Sequence, residues 1–252
     1  MNDSGPVGET LLEVRHLSKN FGPVQALDDL SMLVRAGEVV ALAGDNGAGK
    51  TTLIKAISGV YKPSGGEILL NGHPVSFASP QEARDQGIET IYQDLALADN
   101  LSIGANIFLG REPMRRAFGI LPVLDRARMA EAARTTMALL DFHVSRLDAP
   151  VSNFSGGQRQ AVAIGRAVYW NARILIMDEP TAALGVPEQR KVIQLIHQLK
   201  AQGRGVIFIS HNLQDIFAAA DRIVVLRRGV QAGERKISET THDEVVRMMV
   251  GG

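Results

Sequence analysis

The sequence predicts an α/β fold with a mostly parallel β-sheet. One observation is a glycine-rich segment, residues 44–51, that stands between an apolar run and an amphipathic stretch. Another is a pair of apolar runs, residues 174–177 and 206–210, with the amphipathic stretch 188–202 between them. Strands that are apolar throughout are covered on both faces, and strands that alternate with helices form parallel sheets.

The composition fits one or two globular domains. The 252 residues include 27 Lys and Arg and 27 Asp and Glu, so there is no global basic surface for nucleic acid or an acidic membrane. Cysteine is absent, which excludes disulfides and suits a reducing cytoplasm. The sequence contains no apolar run of about 18 residues, which is the length needed to span a bilayer. Residues 1–9 are polar and are expected to form a flexible tail, not a signal peptide.

The first third of the chain predicts an antiparallel β-subdomain beside the start of the core. Residues 10–14 and 24–34 alternate apolar and polar side chains and are predicted as antiparallel strands, with a turn at Asp28 and Asp29. The further elements expected here are strands at 38–43, 65–70 and 88–92 and a helix at 51–57.

The middle of the chain predicts a helical subdomain inserted into the core. The pattern is helical from about residue 101 to 147, with the clearest helix at 126–140, and residues 110–122 are expected to form a loop. The α/β pattern then returns, with a helix at 158–169 and a last strand at 223–226. The predicted boundaries are one domain over 10–252, with a core of about 10–95 and 160–252 and a helical subdomain of about 96–159.

Residues 44–51 fit the phosphate-binding loop pattern G-x-x-x-x-G-K-[ST]. Glycines allow backbone N–H groups to curl around a polyphosphate, and the N-terminus of the following helix adds partial positive charge. Lys50 is expected to reach the β- and γ-phosphates, and the Thr51 hydroxyl to bind Mg²⁺. The alternative is a glycine-rich turn, which the strand–loop–helix context disfavours.

Two adjacent carboxylates, Asp178 and Glu179, follow the apolar run 174–177. Ligands of parallel sheets bind beyond the carboxyl ends of the strands, so the pair suits a Mg-nucleotide site. Asp178 is expected to hold the magnesium shell, and Glu179 to polarise an attacking water. The alternative is a solvated turn before Pro180.

The segment Ser155-Gly156-Gly157-Gln158 precedes a predicted helix. Ser155 and Gln158 have the spacing of a capping box, in which each side chain accepts a hydrogen bond from the backbone of the other residue. A capped helix N-terminus is also an anion site, so a structural and a functional interpretation are compatible.

The phosphate-binding loop, Gln93, Ser155–Gln158, the 174–179 segment and His211 together resemble the ATP-binding cassette (ABC) ATPases, over about residues 11–229. The resemblance implies a P-loop NTPase fold with a RecA-like core, an N-terminal antiparallel β-subdomain and an inserted α-helical subdomain. It also implies that two cassettes sandwich two ATP molecules, with the loop of one facing Ser155–Gln158 of the other.

The resemblance implies roles for individual residues. Phe21 would stack on adenine, Gln93 would contact Mg²⁺ and signal to membrane subunits, and His211 would lie near the γ-phosphate. The alternative interpretations are that Phe21 is a hydrophobic turn residue, that Gln93 is an ordinary polar residue and that His211 is a capping or core residue. The implied catalytic residues are Lys50, Gln93, Glu179 and His211, and the implied Mg²⁺ ligands are Thr51, Gln93 and Asp178. The implied ATP-binding residues are Phe21, Gly44, Asp45, Asn46, Gly47, Ala48, Gly49, Lys50, Thr51, Thr52, Ser155, Gly156, Gly157 and Gln158.

Residues 92–97, 106–112 and 179–186 resemble the monosaccharide-import ABC ATPases, in their single-cassette form. This resemblance implies membrane permease partners, a periplasmic sugar-binding protein and a place on the cytoplasmic face of the membrane. It also implies a homodimer or a second cassette, and no nucleic-acid partner. Residues 93–112 are the expected surface toward the permease. Gly185 stands where the family usually has Asp, which leaves the coupling between the two ATP sites open.

Three other functions are considered. ABC proteins that act on ribosomes or DNA usually have two cassettes or a long coiled coil, and neither is present here. A regulatory module without turnover is disfavoured by Glu179 and His211, although Gly185 keeps it open. An exporter ATPase is opposed only by the importer-like segments. The transported sugar is not encoded in this subunit, because specificity lies in the binding protein and the permease.

Overall fold

The computed structural model describes residues 8–117, 120–142, 146–182 and 184–251, so most of the predicted tail, together with His143 and Ala183, lies outside the described residues. The chain divides into two compact units. The first comprises Met1–Gln93, Ala172–Ala182 and Ile196–Gly252, and the second comprises Asp94–Asn171 and Ala183–Leu195. The subdomain predicted at residues 96–159 falls within the second unit.

The elements are numbered in chain order. The strands are β1 (Thr10–Phe21), β2 (Val24–Arg35), β3 (Val39–Ala43), β4 (Gly65–Leu70), β5 (His73–Val75), β6 (Ile88–Ile91), β7 (Met114–Ala117), β8 (Leu121–Leu124), β9 (Ile174–Asp178), β10 (Gly205–Ile209), β11 (Arg222–Arg227) and β12 (Val230–Lys236). The helices are α1 (Lys50–Ile57), α2 (Pro80–Asp85), α3 (Ile103–Ile107), α4 (Arg126–Leu139), α5 (Gly156–Tyr169), α6 (Val186–Ala201), α7 (Leu213–Ala219) and α8 (His242–Val250).

The core of the first unit is a six-stranded sheet in the order β12-β11-β3-β10-β9-β6. All neighbouring pairs are parallel except β11 with β12, which is antiparallel. Every residue of β3 and β10 is buried, as expected for apolar strands covered on both faces. The predicted mostly parallel sheet is therefore confirmed.

The predicted antiparallel sheet is also present, in the order β2-β1-β4-β5, but one of its turns was placed wrongly. Asp28 and Asp29 lie inside β2, and the chain reverses after Phe21. Asp29 has φ 52° and its carboxylate contacts His16 Nδ1 at 2.7 Å, where the β1–β2 register shifts. Aspartate tolerates this left-handed conformation, so the strand absorbs the two acids in a bulge instead of ending.

The second unit contains the predicted helix α4, which ends at Leu139, and α5, which begins directly after Ser155. The loop predicted at residues 110–122 is wrong in part, because β7 and β8 pair there as an antiparallel hairpin. The Gly and Pro residues of this segment predict a loop, and most of the described side chains in the two short strands are exposed, so no alternating pattern reveals the strands.

The chain also continues past the strand predicted as the last. After β11 it turns back as β12, an edge strand whose residues are mostly exposed, and it ends in α8. A polar edge strand lacks the apolar run that identified its neighbours. No helix in the described residues is long and apolar enough to cross a bilayer.

A buried arginine connects the strands around β3. Arg222, at the start of β11, donates to Glu38 Oε1 at 2.9 Å, to Glu234 Oε1 at 2.7 Å and to the Leu33 carbonyl at 2.7 Å. Its side chain is 9% exposed and that of Glu38 is 13% exposed. Glu38 immediately precedes β3, so the arginine holds the start of the strand that leads to the phosphate-binding loop.

Replacing Arg222 with Gln should lower the free energy of unfolding by about 3 kcal/mol, because it leaves the largely buried Glu38 carboxylate with only Arg35, at 3.8 Å, as a counter-charge. Urea denaturation followed by circular dichroism would measure the change. Arg15→Gln is the matched control, because its ion pair with Glu13 is exposed to solvent and should contribute little to stability. Equal effects of the two substitutions would contradict this assignment.

Candidate functional site

Four adjacent strands bring the predicted site residues to one edge of the sheet. In the order β3-β10-β9-β6, the strands are parallel and in register, with Ile209 opposite both Leu42 and Asp178, and Met177 opposite Ile91. Their carboxyl ends therefore lie side by side. Asp178 is the last residue of β9, and the loops that follow the four strands carry residues 44–49, His211, Glu179 and Gln93. Parallel sheets bind ligands at this edge.

These loops surround a cavity of about 970 Å³ in the first unit. The predicted residues that line it are Gly44, Asp45, Asn46, Gly47, Ala48, Gly49, Lys50, Thr51, Thr52, Gln93, Asp178, Glu179 and His211. The residues that the sequence did not single out are Val24, Gln25, Ala26, Arg228, Gly229 and Met249. Phe21 and Ser155–Gln158 are not among the lining residues.

Two glycines of the loop make room for the neighbouring backbone. Gly44 has φ 146°, and a Cβ atom there would lie 2.3 Å from the Leu226 carbonyl oxygen. Gly49 has φ 106°, and a Cβ atom there would lie 2.9 Å from the Ala26 carbonyl oxygen. The pattern G-x-x-x-x-G-K-[ST] thus has a local steric reason, in addition to exposing backbone N–H groups to a ligand.

Lys50, the first residue of α1, lies over the loop that precedes it. Its ammonium group donates to the Gly44 carbonyl at 2.5 Å and to the Asp45 carbonyl at 3.1 Å. Burial lowers the pKa of Lys50 from its ordinary value, and nearby carboxylates, foremost that of Glu179, oppose the shift. The protein therefore compensates the positive charge of the Lys50 ammonium group only in part.

Asp178 is the last residue of β9, and its pKa is shifted in the direction opposite to that of Lys50. Burial raises the pKa of the Asp178 carboxyl, and the adjacent Glu179 carboxylate raises it further, while Lys50 partly opposes the shift. An anion held in this way favours a cationic ligand.

Glu179 stands in a strained conformation directly after the strand. Its φ is 53°, which is unfavourable for a side chain that is neither Gly, Asn nor Asp and costs about 1–2 kcal/mol. Two backbone hydrogen bonds hold it: its N–H donates to the Ile209 carbonyl at 3.0 Å, and its carbonyl accepts from Ala182 N–H at 3.1 Å. Strain of this kind is concentrated at functional sites, where the surrounding structure imposes it.

His211 contacts the second carboxylate of the pair. Its Nδ1 lies 2.8 Å from Glu179 Oε2, with the histidine side chain 75% exposed and the glutamate side chain 16% exposed. The imidazole can therefore orient the Glu179 carboxylate while its other nitrogen stays accessible from the cavity.

The oxygen donors of the cavity fit Mg²⁺. The Thr51 hydroxyl, the Gln93 amide and the Asp178 carboxylate line it together, and Mg²⁺ prefers such hard oxygen ligands. In the described part of the chain, no group of three or more Asp, Glu, His or Cys could enclose a metal. Mg²⁺ is usually bound through one or two carboxylates and completes its shell with phosphates and waters, and Asp178 offers one such carboxylate.

Phe21 lies at the end of β1 and makes an aromatic pair. Its ring meets Tyr61 edge to face, with the ring centroids 5.1 Å apart, and Lys19 Nζ lies 5.0 Å from the Phe21 centroid. The Phe21 side chain is 41% exposed, so one side of the ring can receive a planar group. Tyr61 is a second aromatic at this position, which the sequence pattern did not single out.

Ser155 and Gln158 form the predicted capping box at the start of α5, in the second unit. Ser155 N–H donates to Gln158 Oε1 at 2.9 Å, and Gln158 N–H donates to Ser155 Oγ at 3.4 Å. Gly156 and Gly157 form the first turn of this 14-residue helix. The capping interpretation is confirmed, and contact with a nucleotide stays a prediction.

Arg228 and Met249 are two of the side chains in the cavity wall that sequence reasoning missed. Arg228 forms the β11–β12 turn with Gly229, whose N–H donates to the Ala48 carbonyl at 3.0 Å. Met249 lies in the last turn of α8. Neither belongs to a motif, and only the packing of the turn against the phosphate-binding loop brings Arg228 to the cavity.

Comparison with known proteins identifies the family to which this chain is similar. The family model described as ABC transporter matches residues 27–182. The xylose/arabinose import ATP-binding protein of Sulfolobus acidocaldarius is 49% identical over 239 residues, which cover 95% of this chain and 93% of that protein. The ribose import ATP-binding protein of Chromobacterium violaceum is 46% identical over 94% of this chain, but the match covers only 46% of that protein.

A solved structure agrees in fold. The ADP conformation of an ATP-binding cassette of an ABC transporter superposes with a TM-score of 0.83 and 25% identity, covering 96% of this chain and 99% of that one. The match thus spans nearly all of that solved cassette. This chain spans nearly all of the xylose/arabinose relative and about half the length of the ribose relative.

Asp178→Asn should stabilise the protein in the absence of ligands. Because the folded-state pKa of Asp178 lies above its ordinary value of 3.8, the ionised carboxylate opposes folding, and this effect grows as the pH rises through the raised pKa. The variant should therefore have a higher free energy of unfolding near neutral pH. The difference should shrink as the pH falls toward 3.8.

Urea denaturation at several pH values would measure this difference. Asp148→Asn, at a side chain that is 78% exposed, is the control for removing one negative charge. A lower stability of Asp178→Asn near neutral pH would show that Lys50, not burial, determines the state of this carboxylate.

Proposed function

This chain belongs to the ABC transporter family of ATP-binding proteins, and on that premise we propose that it is the ATP-hydrolysing subunit of a monosaccharide importer. The observation that carries the ATPase part is the convergence of Lys50, Asp178, Glu179 and His211 on one cavity beside the phosphate-binding loop. The importer part is supported by relatives at 49% and 46% identity that are named import ATP-binding proteins for xylose/arabinose and ribose.

The loop and Lys50 bind the triphosphate. Backbone N–H groups of residues 44–49 and the N-terminus of α1 face the phosphates, and the Lys50 ammonium exchanges its loop carbonyls for phosphate oxygens. The shift in the pKa of Lys50 favours this exchange, because the phosphates supply negative charge that the protein provides only in part.

Thr51, Asp178 and Gln93 would hold Mg²⁺. When bound, the ion would neutralise charge on the β- and γ-phosphates. Asp178 supplies the carboxylate. A bound cation would lower the pKa of Asp178, which burial and the Glu179 carboxylate raise. Gln93 follows β6, which is the last strand of the first unit before the chain enters the second, so it is suited to transmit the state of the site.

Glu179 accepts a proton from the water that attacks the γ-phosphorus. A new bond forms between the water oxygen and phosphorus, and the bond to the β–γ bridging oxygen breaks, leaving ADP and inorganic phosphate. Its backbone, fixed by Ile209 and Ala182, and its contact with His211 aim the carboxylate into the cavity. His211 positions Glu179 and, through its exposed ring, approaches the transferred phosphoryl group.

The complete site requires a second cassette. The Ser155–Gln158 segment of one copy would close over the phosphate-binding loop of another, in a homodimer or with a different ATPase subunit. The position of Ser155–Gln158 at a capped helix N-terminus in the second unit supports this role, because such a terminus can receive a γ-phosphate. Closure on Mg-ATP and reopening after hydrolysis would then power transport.

The partners we propose are integral-membrane permease subunits and, through them, a periplasmic sugar-binding protein. This places the chain on the cytoplasmic face of the membrane. Residues 93–112 are the proposed contact with the permease, and among them Leu109 offers a large apolar side chain that is 45% exposed.

The test is Mg-ATP turnover of the purified chain beside Glu179→Gln. Loss of the general base should lower the rate about 10²–10⁴-fold and, because hydrolysis reopens the dimer, should accumulate an ATP-bound dimer on gel filtration. Glu131→Gln, on the exposed surface of α4, is the matched control. If both proteins bind ATP but neither hydrolyses it nor dimerises, the chain needs a different partner cassette or acts as a nucleotide sensor.

Phe21→Ala should weaken ATP binding by about 1–3 kcal/mol, because a ring stacked on the base is lost. Phe21→Tyr should retain the affinity, and inorganic triphosphate should bind the wild type and Phe21→Ala equally. Fluorescent-nucleotide titration, with triphosphate as competitor, measures these affinities. Unchanged ATP affinity in Phe21→Ala would show that Phe21 does not stack on the base and would make Tyr61 the next candidate.

A further inference from the structure

The turn between β11 and β12 holds an arginine in a backbone conformation that arginine disfavours. Arg227 pairs with Val230 across the two strands, so Arg228 and Gly229 are the two central residues of the turn. Both have a positive φ, 49° for Arg228 and 84° for Gly229, as in a type I′ turn. Asn, Asp and Gly are the residues that favour these positions. An arginine kept there against its preference points to a function for its side chain.

Contacts with the phosphate-binding loop and with β2 fix the backbone of this turn. Gly229 N–H donates to the Ala48 carbonyl at 3.0 Å, and the Gly229 carbonyl accepts from Asp28 N–H at 2.9 Å. A Cβ atom at Gly229 would lie 3.0 Å from the Ala26 carbonyl oxygen, so the turn packs closely on this strand. Arg228 is therefore held at a defined place beside the loop.

The Arg228 side chain is exposed and lines the cavity next to the phosphate-binding loop. Among the described residues, its guanidinium has neither a hydrogen bond nor an ion pair. The neighbouring Arg227 differs, because it donates to the Val250 carbonyl at 3.2 Å and is not among the residues that line the cavity. The donors of Arg228 are therefore available to a ligand in the cavity.

The charges of the cavity wall favour an anion at Arg228. The described wall carries three carboxylates, those of Asp45, Asp178 and Glu179, and two permanent cations, Lys50 and Arg228. In the proposed function Mg²⁺ offsets the Asp178 carboxylate, and Lys50 contacts the β- and γ-phosphates. Arg228 then remains as the cation for the rest of the nucleotide, whose other negative charge lies on the α-phosphate.

The position of the turn along the cavity agrees with this assignment. Phe21, the proposed base contact, pairs with Val24 at the start of β2, and Ala26 follows two residues later. The turn packs on Ala26 on one side and bonds to Ala48 of the phosphate-binding loop on the other. It therefore lies between the base end and the loop. In ATP, the ribose and the α-phosphate connect the base to the other two phosphates.

We propose that Arg228 binds the α-phosphate of ATP, an inference that rests on the proposed function. The planar guanidinium donates parallel hydrogen bonds to two phosphate oxygens, which is the geometry in which arginine binds phosphates most strongly. The α-phosphate is present in both ATP and ADP and takes no part in the bond that breaks. Arg228 is therefore a binding residue that selects 5′-phosphorylated nucleotides and acts on substrate and product alike.

Nucleotide titration of Arg228→Asn tests this proposal. Loss of a charge-assisted contact should weaken the binding of ATP and of ADP by the same factor, about tenfold. Adenosine has no phosphate, so it should bind the wild type and the variant equally. Arg228→Lys keeps the charge without the planar fork and should recover part of the affinity. In turnover, Arg228→Asn should raise KM for ATP more than it lowers kcat.

Arg227→Gln is the matched control. It removes one positive charge from the same turn, but from a side chain that bonds to the Val250 carbonyl, so ATP affinity should stay within about twofold of the wild type. Urea denaturation separates binding from folding. Asn favours the left-handed φ of residue 228, so Arg228→Asn should be at least as stable as the wild type while it binds ATP more weakly.

Several outcomes would overturn the proposal. Equal ATP affinity of Arg228→Asn and the wild type, or an equal loss in Arg227→Gln, would show that Arg228 makes no specific contact. Weaker binding of ATP but not of ADP would assign Arg228 to the γ-phosphate, and weaker binding of adenosine would assign it to the base or the ribose. ATP binding that depends on Arg228 without any hydrolysis would contradict the proposed ATPase alone, whereas a wild type that binds no ATP would contradict both.

Discussion

The alignment of four parallel strands is the constraint on which the rest of the site depends. Because β3, β10, β9 and β6 are buried and in register, their ends cannot shift separately, and each following residue is delivered to a fixed place. The phosphate-binding loop, His211, Asp178 with Glu179, and Gln93 come from segments far apart in the chain. Their convergence therefore reflects sheet topology, and the apolar strands that look least functional in the sequence position the chemistry.

Strand endings also explain the strain at the site. Asp178 is the last residue of β9, and the chain must leave the sheet at once for its carboxylate and that of Glu179 to face one cavity. The left-handed φ of Glu179 accomplishes this, and the backbone bonds to Ile209 and Ala182 hold it. Gly44 performs the same task after β3, where a side chain would meet the Leu226 carbonyl. Two strands thus end in conformations that their environment enforces, one with glycine and one with a functional residue.

Local patterns predicted most of the core but not the parts that depend on long-range packing. Buried strands, the amphipathic helix α4 and the capping box at Ser155 have periodicities or spacings that a sequence displays. The bulge at Asp29 resembles a turn, because aspartate favours both. The β7–β8 hairpin and β12 are exposed, so they carry no apolar period. Arg228 reaches the cavity only because the β11–β12 turn bonds to Ala48, and no local pattern encodes that contact.

Burial gives opposite charges in the cavity the same disadvantage. It lowers the pKa of Lys50 and raises that of Asp178, so the charged forms of both groups are disfavoured even though they attract each other. In a structural ion pair the mutual attraction would outweigh burial, and both shifts would have the other sign. A ligand with phosphates for Lys50 and a cation for Asp178 would relieve both groups together, while either component alone would relieve one. The electrostatics of this site therefore support the proposed binding of a metal–nucleotide complex.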